Sequence, residues 1–507
     1  MYDVAIIGCG ITGAAAAYEL SAYDLSIVII EKENDVATGA SKANSAIVHA
    51  GYDPQTGTLK ARLNVEGNAL YEPLCERLGV PFTRCGSLML AFSPQEVSQL
   101  DEIMSLGIAN GVPGLEIISP EKLWEMEPNA SRKALAALYA PSAGITNPWE
   151  LVIALTEHAV INGADLKLNS EIISIEKIDS EPIAVEKIGG DGDPRAGFRL
   201  RSRAEEIEAR YILNAAGVHS DAIHNMIAPE TFKIIPDRGV YYLLDNTEDG
   251  LVRHVIFQCP TPVGKGALVA PTTGGNVIVG PNNEKPACRE DTAVSREGLS
   301  EIADKARRLV PSVNLRASIR NFAGVRPASD RDDFIIEASA DVPGFIDLAG
   351  IKSPGLTSAP AIAKLAVKLL AEAGLEITEK SRVNHVPRRV RFAALSDNEK
   401  KELVRLNADY GHVICRCRAV TEGEILDALR SPVPPVSVDG VKRRTEAGLG
   451  RCQGGFCGPR ALEILAREAG VSPVEIPQDK NGSLILTGET KGNGHSGETK
   501  GGGHSDR

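Results

Sequence analysis

Four cysteines in the last hundred residues are spaced for metal chemistry. One residue lies between Cys415 and Cys417, and four residues lie between Cys452 and Cys457. Thiolates gathered from two loops can bind a zinc ion or an iron–sulfur cluster. Zinc sites more often use gaps of roughly two to four residues within each pair, so the one-residue gap favours an iron–sulfur cluster. Zinc and unliganded thiols remain as alternatives.

The sequence also predicts helices that begin beside these cysteines. Thr421 and Glu424 form a capping-box pattern after the first pair, and Pro459 suits the first turn of a helix after Cys457. The N-terminus of a helix favours negative charge, which an iron–sulfur cluster carries. Five arginines add positive charge nearby: Arg416, Arg418, Arg443, Arg444 and Arg451.

A glycine-rich turn at the start of the chain predicts a dinucleotide site. Gly8, Gly10 and Gly13 follow the apolar run 4–7, precede an alanine-rich helix, and are followed by a second apolar run that ends at Glu31. The glycines permit a tight turn and a close approach to a pyrophosphate, and the acid is placed to accept ribose hydroxyls. The alternative is a glycine turn that only packs.

Composition limits the class of protein. The chain has 507 residues, which corresponds to roughly three domains of about 150 residues each. Its net charge of −12 disfavours nucleic acid as a partner, and nine irregularly placed cysteines do not resemble a secreted disulfide framework. No apolar run reaches the roughly 18 residues of a membrane span, and we expect a cytoplasmic protein that is soluble or at most peripheral.

Further elements are predicted along the chain. Residues 59–78 and 148–162 have helical spacing, 209–217 form a buried strand, and a strand at 345–350 precedes a glycine turn and a helix from about 360 to 373. We interpret Arg388–Arg391 as a solvated charged face within a linker. The nine-residue repeat in 488–507 cannot bury a core, so we expect it to be disordered.

These motifs resemble two known families. Gly8–Gly13, the small-residue loop 37–51, Asn214–Gly217 and Gly350–Thr357 resemble the flavin-dependent oxidoreductases of the D-amino-acid-oxidase type. The cysteine gaps in 412–460 resemble the bacterioferritin-associated-ferredoxin-like [2Fe–2S] domain. In this order the two parts resemble the catalytic subunits of anaerobic glycerol-3-phosphate dehydrogenases. The resemblance implies FAD and a [2Fe–2S] cluster as cofactors.

The resemblance implies roles for individual residues. Substrate would contact Ser45, His49, Lys265, Arg326 and Ser353, of which His49, Lys265 and Arg326 would be catalytic. FAD would be held by Gly8, Gly10, Thr12, Gly13, Glu31, Ala40, Ser41, Ser45, Ile47, Ile173, Gly217, Gly350, Ser353 and Thr357. The cluster would be held by Cys415, Cys417, Cys452 and Cys457. A neutral imidazole can accept a hydroxyl proton, and lysine and arginine can bind a phosphate.

The predicted fold is of the α/β (α+β) class. A Rossmann-like FAD-binding domain with an inserted β-rich substrate domain would occupy 1–375, with the substrate part at roughly 80–145 and 231–320. A linker at 376–411, a small C-terminal [2Fe–2S] domain at 412–470 and a flexible tail at 471–507 would follow.

The resemblance implies oxidation of sn-glycerol 3-phosphate to dihydroxyacetone phosphate, with electrons passing from FAD through the cluster to a partner subunit. The sequence after Arg326-Pro327 differs from the pattern of those dehydrogenases, which leaves L-2-hydroxyglutarate and other 2-hydroxy acids open as substrates. The alternative from another functional class is an electron-transfer or regulatory subunit that holds FAD and the cluster but does not turn over a substrate. We expect a hetero-oligomer and a possible attachment to the inner face of the membrane through a partner.

Overall fold

The computed structural model describes residues 1–178, 197–260 and 266–488. Its strands are β1 Tyr2–Ile7, β2 Ile27–Ile30, β3 Ile47–Val48, β4 Phe82–Thr83, β5 Ser87–Ala91, β6 Glu116–Ile118, β7 Ala136–Ala140, β8 Gly144–Thr146, β9 Asp165–Lys167, β10 Ile172–Ile178, β11 Gly197–Ser202, β12 Glu206–Asn214, β13 Asp237–Leu244, β14 Val255–Gln258, β15 Leu268–Pro271, β16 Val277–Gly280, β17 Ser318–Arg326, β18 Ile335–Ala338, β19 Phe345–Ala349, β20 Val413–Cys415 and β21 Val420–Thr421.

Its α-helices are α1 Ile11–Leu20, α2 Leu59–Leu78, α3 Pro94–Ala109, α4 Pro120–Met126, α5 Pro148–Ile161, α6 Ser220–His224, α7 Arg296–Leu309, α8 Gly355–Glu372, α9 Asp397–Leu406, α10 Glu422–Leu429, α11 Val438–Thr445 and α12 Cys457–Ala469. Within the described ranges, none of these helices is long and apolar enough to cross a membrane.

The first sheet carries the glycine-rich turn. Its strand order is β10-β11-β12-β1-β2-β9, and β19 also pairs with β12. Strands β12, β1, β2 and β9 run parallel, so their carboxyl ends meet at one edge. Helices α1, α5 and α8 cover one face, and the apolar side chains of β1 and β2 are buried on both faces. Ligands bind at such an edge in doubly wound sheets.

The second sheet is mostly antiparallel and forms the β-rich part. Its order is β17-β13-β16-β15-β14-β5-β7-β6. Apolar side chains from both faces enter two separate clusters, one of which includes helix α7. The predicted mixed α/β class with an oxidoreductase-type FAD fold and a small C-terminal domain is confirmed.

We call residues 413–484 the C-terminal module. It contains the two-stranded sheet β20-β21 and helices α10, α11 and α12 around a small apolar core. Thr421 and Glu424 make the predicted capping box at the start of α10, with both reciprocal hydrogen bonds present. Helix α12 begins at Cys457, so Pro459 lies in its first turn, as predicted.

The structure corrects the start of α8. The helix begins at Gly355 and includes Pro360, whereas the sequence predicted a start at about residue 360. A proline inside a helix leaves the carbonyl four residues earlier without a donor. Here the Tyr71 hydroxyl donates to that carbonyl, on Leu356. A tertiary hydrogen bond therefore replaces the missing helical one.

The interpretation of Arg388–Arg391 as a solvated charged face is wrong for Arg389 and Arg391, whereas Arg388 is exposed. Arg389 forms a salt bridge of 2.7 Å with Glu157, and Arg391 forms one with Glu150. Both glutamates are buried on α5. Because buried carboxylates are costly without a partner, these arginines fix the segment against the flavin domain.

The predicted flexible tail does not begin at residue 471. Residues 473–475 form a 3₁₀ turn, Pro477 pairs with Leu484, and Asp479 forms salt bridges with Lys42 and Arg443. Complementary charges thus hold this polar segment, although its composition suggested a free tail. The repeat was predicted to be disordered. Almost all of it, residues 489–507, lies outside the described residues.

Candidate active site and cofactor cavity

A cavity of about 880 Å³ lies at the carboxyl edge of the parallel strands. Its lining includes Gly8, Gly10, Thr12, Glu31, Ala40, Ser41 and Gly217 among the residues predicted to hold FAD. The remaining walls come from the second sheet and from the C-terminal module. An elongated cleft between layers is the expected shape of a dinucleotide site.

The glycines of the turn are required by geometry. Gly8 has a φ of +98°, and a Cβ there would lie 2.6 Å from the carbonyl oxygen of Ala215. A Cβ on Gly13 would lie 2.0 Å from the carbonyl oxygen of Gly8. Both contacts are too close for any side chain, so the strand, the turn and α1 pack at a separation that glycine alone permits. Gly10 precedes the first residue of α1.

Polar side chains hold the loops around this turn. The Ile11 amide donates to Ser41 Oγ at 2.9 Å. Glu31 accepts from the Cys9 amide at 2.8 Å and from the Glu33 amide at 3.0 Å. Burial raises the pKa of Glu31, and the two amides act in the opposite direction. The remaining lone pairs of this carboxylate could accept ribose hydroxyls.

The predicted contact at Ile173 needs correction. Its side chain is 52% exposed, and the neighbouring Ile172 is buried and lines the cavity. Successive side chains of a strand point to opposite faces, so a shift of one residue exchanges the two. Sequence reasoning identified the strand and not its register.

The other predicted FAD contacts lie near the lining. Ala46 and Ile351, neighbours of Ser45 and Gly350, line the cavity. Thr357 Oγ1 accepts from the His49 amide at 2.8 Å and lies 3.5 Å from the Ile47 carbonyl. Thr357 therefore joins α8 to the strand that precedes His49.

His49 and Ser353 lie together, as predicted for two substrate contacts. His49 Nε2 is 3.4 Å from Ser353 Oγ, and the imidazole stacks on Phe257 with ring centroids 5.9 Å apart. The carbonyl of His49 accepts hydrogen bonds from the side-chain amides of Asn64 and Asn68 at 2.8 and 3.0 Å. Backbone hydrogen bonds on both sides thus fix the position of this imidazole.

The Arg326 guanidinium donates hydrogen bonds to three protein groups. Its Nε donates to Asp237, and its Nη2 donates to the Asn282 carbonyl at 3.2 Å and to Asn283 Oδ1 at 3.3 Å. The guanidinium is partly exposed at the end of β17. It is held in place, and it retains donors for an anion. Lys265, the other predicted cation, lies outside the described residues.

The four predicted cluster ligands meet as two pairs. Cys417 Sγ lies 3.9 Å from Cys452 Sγ, and Cys415 and Cys457 lie close enough to shift each other's pKa. Two thiolates on one tetrahedral metal lie about 3.8 Å apart when each bond is about 2.3 Å. The spacing of the first pair suits two ligands of one iron, and two such pairs suit the two irons of a [2Fe–2S] cluster.

The electrostatics of this site differ among the thiols, and the hydrogen bond to Cys415 together with burial raises the pKa of Cys457. The hydrogen bond from Cys457 lowers the pKa of Cys415 to about 5, and the amide of Phe456 lowers that of Cys452. In the described part of the chain, no three His, Cys, Asp or Glu side chains are arranged to hold a single metal ion.

The C-terminal module also lines the large cavity, which the sequence did not predict. Arg418, Lys442 and Asp479 of the module and Arg320 of β17 belong to its walls. Arg320 and Lys442 also line a cavity of about 50 Å³ that reaches Cys457. The two cavities therefore share a wall. No local pattern marks these residues, because the contact joins positions far apart in the chain.

Comparison with known proteins agrees with this architecture. Residues 3–369 match the model of the FAD-dependent oxidoreductase (DAO) family, and residues 413–467 match the BFD-like [2Fe–2S] binding domain. The chain is 48% identical to a glycerol 3-phosphate dehydrogenase of Caloramator mitchellensis over 492 residues, which cover 97% of this chain and 99% of the relative.

Two further matches cover the flavin part. A glycerol 3-phosphate oxidase of Mycoplasma genitalium is 31% identical over 73% of this chain and 94% of its own length. The structure of dithionite-reduced L-α-glycerophosphate oxidase from Mycoplasma pneumoniae with FAD bound superimposes with a TM-score of 0.69 at 31% identity, covering 76% of this chain and 97% of the oxidase. The chain is a member of the FAD-dependent oxidoreductase (DAO) family that carries a C-terminal BFD-like [2Fe–2S] domain.

Proposed function

We propose that this protein is an FAD-dependent dehydrogenase that oxidises sn-glycerol 3-phosphate to dihydroxyacetone phosphate. The observation that carries the proposal is the 48% identity with a glycerol 3-phosphate dehydrogenase over 97% of this chain, which includes both the flavin part and the cysteine module. We assign a group of this chain to each requirement of that reaction.

Oxidation of a secondary alcohol removes a hydride from carbon and a proton from oxygen. FAD, when bound, supplies the hydride acceptor. His49 takes the proton at Nε2, with Ser353 Oγ 3.4 Å away to orient the hydroxyl. The hydrogen bonds to the amide and carbonyl of His49 keep its imidazole in position during this transfer.

The substrate phosphate needs fixed cations in a partly dry cleft. Arg326 supplies one through its guanidinium, which Asp237 and the Asn282 carbonyl orient. We assign Lys265 as the second cation on the resemblance of its sequence motif. Ser45 contributes a hydroxyl beside the cavity-lining Ala46.

The C-terminal module provides a route for electrons. A [2Fe–2S] cluster accepts one electron at a time, and we assign Cys415, Cys417, Cys452 and Cys457 as its ligands. Cys417 is exposed and Phe456, between the last two ligands, is 85% exposed, which supports delivery to a partner subunit at this surface. We propose a hetero-oligomer in the cytoplasm, attached to the inner face of the membrane through that partner.

A weaker match favours a second substrate. Human mitochondrial L-2-hydroxyglutarate dehydrogenase is 28% identical over 71% of this chain and 87% of its own length. An anaerobic screen of the loaded protein separates these functions. We expect sn-glycerol 3-phosphate to bleach the flavin absorbance, with sn-glycerol 1-phosphate as the matched control. Bleaching by L-2-hydroxyglutarate instead would reassign the substrate, and no bleaching by any of the three would favour a subunit without its own turnover.

A further inference from the structure

The loop that follows Glu31 is contacted at three consecutive residues by the C-terminal module. Lys480 Nζ donates to Glu33 Oε1 at 2.7 Å. Asn34 donates to the Asp479 carbonyl at 2.9 Å. Asp35 accepts from two arginines of α11. We call Glu33–Asp35 the 33–35 loop. Because the Glu33 amide also donates to Glu31, this loop is continuous with the acid assigned to the FAD ribose.

Asp35 is the most deeply buried of these contacts. It is 1% exposed and accepts two hydrogen bonds from Arg444, at 2.8 and 2.9 Å, and one from Arg443 at 2.7 Å. Both arginines are 3% exposed. Burial acts to raise the pKa of Asp35, yet the two guanidinium groups lower it to about 2. The carboxylate is therefore charged and fully paired across the boundary between the two parts.

The segment 478–483 is a closed turn that presents Asp479 and Lys480 to the flavin part. The Gln478 amide donates to the Ser483 carbonyl at 2.7 Å, which closes the turn. The Asp439 amide donates to the Gln478 carbonyl at 2.8 Å and ties the turn to the start of α11. The module thus reaches the 33–35 loop through two elements that are joined to each other.

Asp479 connects the same turn to the pyrophosphate side of the cavity. Its carboxylate pairs with Lys42 at 2.5 Å and with Arg443 at 2.7 Å. Lys42 follows Ser41, whose hydroxyl accepts the first amide of α1. Asp479, Lys480 and Ser483 all line the large cavity. The turn therefore borders both the ribose side and the phosphate side of the predicted FAD site.

We propose that the C-terminal module is part of the FAD-binding site: the 478–483 turn and α11 hold the 33–35 loop and Lys42, so FAD binding and docking of the module strengthen each other. This inference uses FAD as the cofactor and does not depend on the substrate. Coupling between two sites is reciprocal, so each partner changes the other by the same factor.

The test measures FAD affinity of the full chain with its cluster. We expect the double variant Asp479→Ala, Lys480→Ala to raise the FAD dissociation constant by roughly 5- to 150-fold, the usual range of coupling between sites. The matched control is Arg460→Ala, Glu463→Ala, which removes an exposed ion pair of 3.1 Å within α12. Fluorescence titration of the apoflavoprotein gives the constant, and the visible absorbance of the cluster shows that the module is folded.

Hydrogen exchange supplies a second readout on the unaltered protein. We expect removal of FAD to accelerate exchange of the amides at 438–444 and 479–483, while the amides of α3, on the second sheet, stay unchanged. If the double variant loses its cluster, the FAD dissociation constant of Lys480→Ala alone and the hydrogen-exchange measurement test the proposal instead. The proposal would be overturned by an FAD dissociation constant equal to that of the control variant. It would also be overturned by equal amide exchange rates at 438–444 and 479–483 with and without FAD.

Discussion

At the residue scale, the candidate site combines side chains that lie far apart in the chain. His49 and Ser353, which are 304 positions apart, do meet, because α8 begins close to the strand that ends before His49. Arg326 forms a structural ion pair with Asp237. Such a pairing depends on the register between β13 and β17, which no local pattern reveals.

His49→Asn should slow reduction of the flavin by substrate about 10²- to 10⁴-fold, the usual contribution of a positioned base. FAD content should stay unchanged, because the contacts of His49 with Thr357 and the two asparagines use its backbone. Stopped-flow absorbance under anaerobic conditions measures the rate. Reduction at the wild-type rate would remove His49 from the reaction.

Arg326→Ala should raise the KM for sn-glycerol 3-phosphate by roughly ten- to a hundredfold, since hydrogen bonds to charged groups contribute about 1.5–3 kcal/mol. Asp237→Asn is the matched comparison, because it removes the ion pair and keeps the guanidinium. Steady-state kinetics with an artificial dye gives both constants. Equal KM values for Arg326→Ala and the wild type would mean that the arginine serves the ion pair alone.

At the scale of elements, local patterns located the strands and helices that bear the site. The glycine turn, α1 and β2 were predicted because their periodicity and glycines are local features. Long-range contacts explain the errors. The Tyr71 hydroxyl allows α8 to begin before Pro360, and Glu150 and Glu157 of α5 bind arginines that composition assigned to solvent.

Asp35→Asn should destabilise the docked module by about 3–5 kcal/mol, because it removes the buried carboxylate that Arg443 and Arg444 share and leaves Arg443 with Asp479. Urea unfolding followed through the visible absorbance of the cluster measures this loss. Asp304→Asn is the control, since its side chain is 79% exposed and pairs with Arg307 on the same helix. A loss equal to that of the control would show that the pairing contributes little.

The same ion pair predicts a pH dependence. The pKa of Asp35 falls from 3.8 to about 2 on folding, so its contribution is complete above pH 3.8 and is lost as the pH falls towards 2. The difference in stability between the wild type and Asp35→Asn should therefore shrink across this interval. A difference independent of pH between 3.8 and 2 would contradict the assigned charge.

At the scale of the whole molecule, the order of the two parts was evident from sequence and their contact was not. Family motifs identified a flavin part and a cysteine module, whereas the shared wall at Arg320 and Lys442 arises only in three dimensions. The segment 478–483, predicted as tail, lies at this contact. Its polar composition is typical of disorder, and its charges find partners only in the folded chain.

Cys452→Ser should abolish the [2Fe–2S] cluster, because one iron loses a thiolate. Bleaching of the flavin by substrate and turnover with a dye that meets the flavin directly should persist, since the predicted substrate contacts lie outside the module. Iron and acid-labile sulfide analysis, with exposed Cys288→Ser as control, measures the cluster content. Zinc in the native protein in place of iron and sulfide would contradict the assignment.

We propose that electrons from sn-glycerol 3-phosphate enter at the flavin and leave through the cluster. The most direct test is an anaerobic titration of the full-length protein with this substrate, followed by visible absorbance and electron paramagnetic resonance. We predict that the flavin absorbance bleaches and that the signal of a reduced [2Fe–2S] cluster then grows in the wild type, while Cys452→Ser shows the bleaching alone. A flavin that stays oxidised, or a cluster that stays oxidised beside a bleached flavin, would contradict the account.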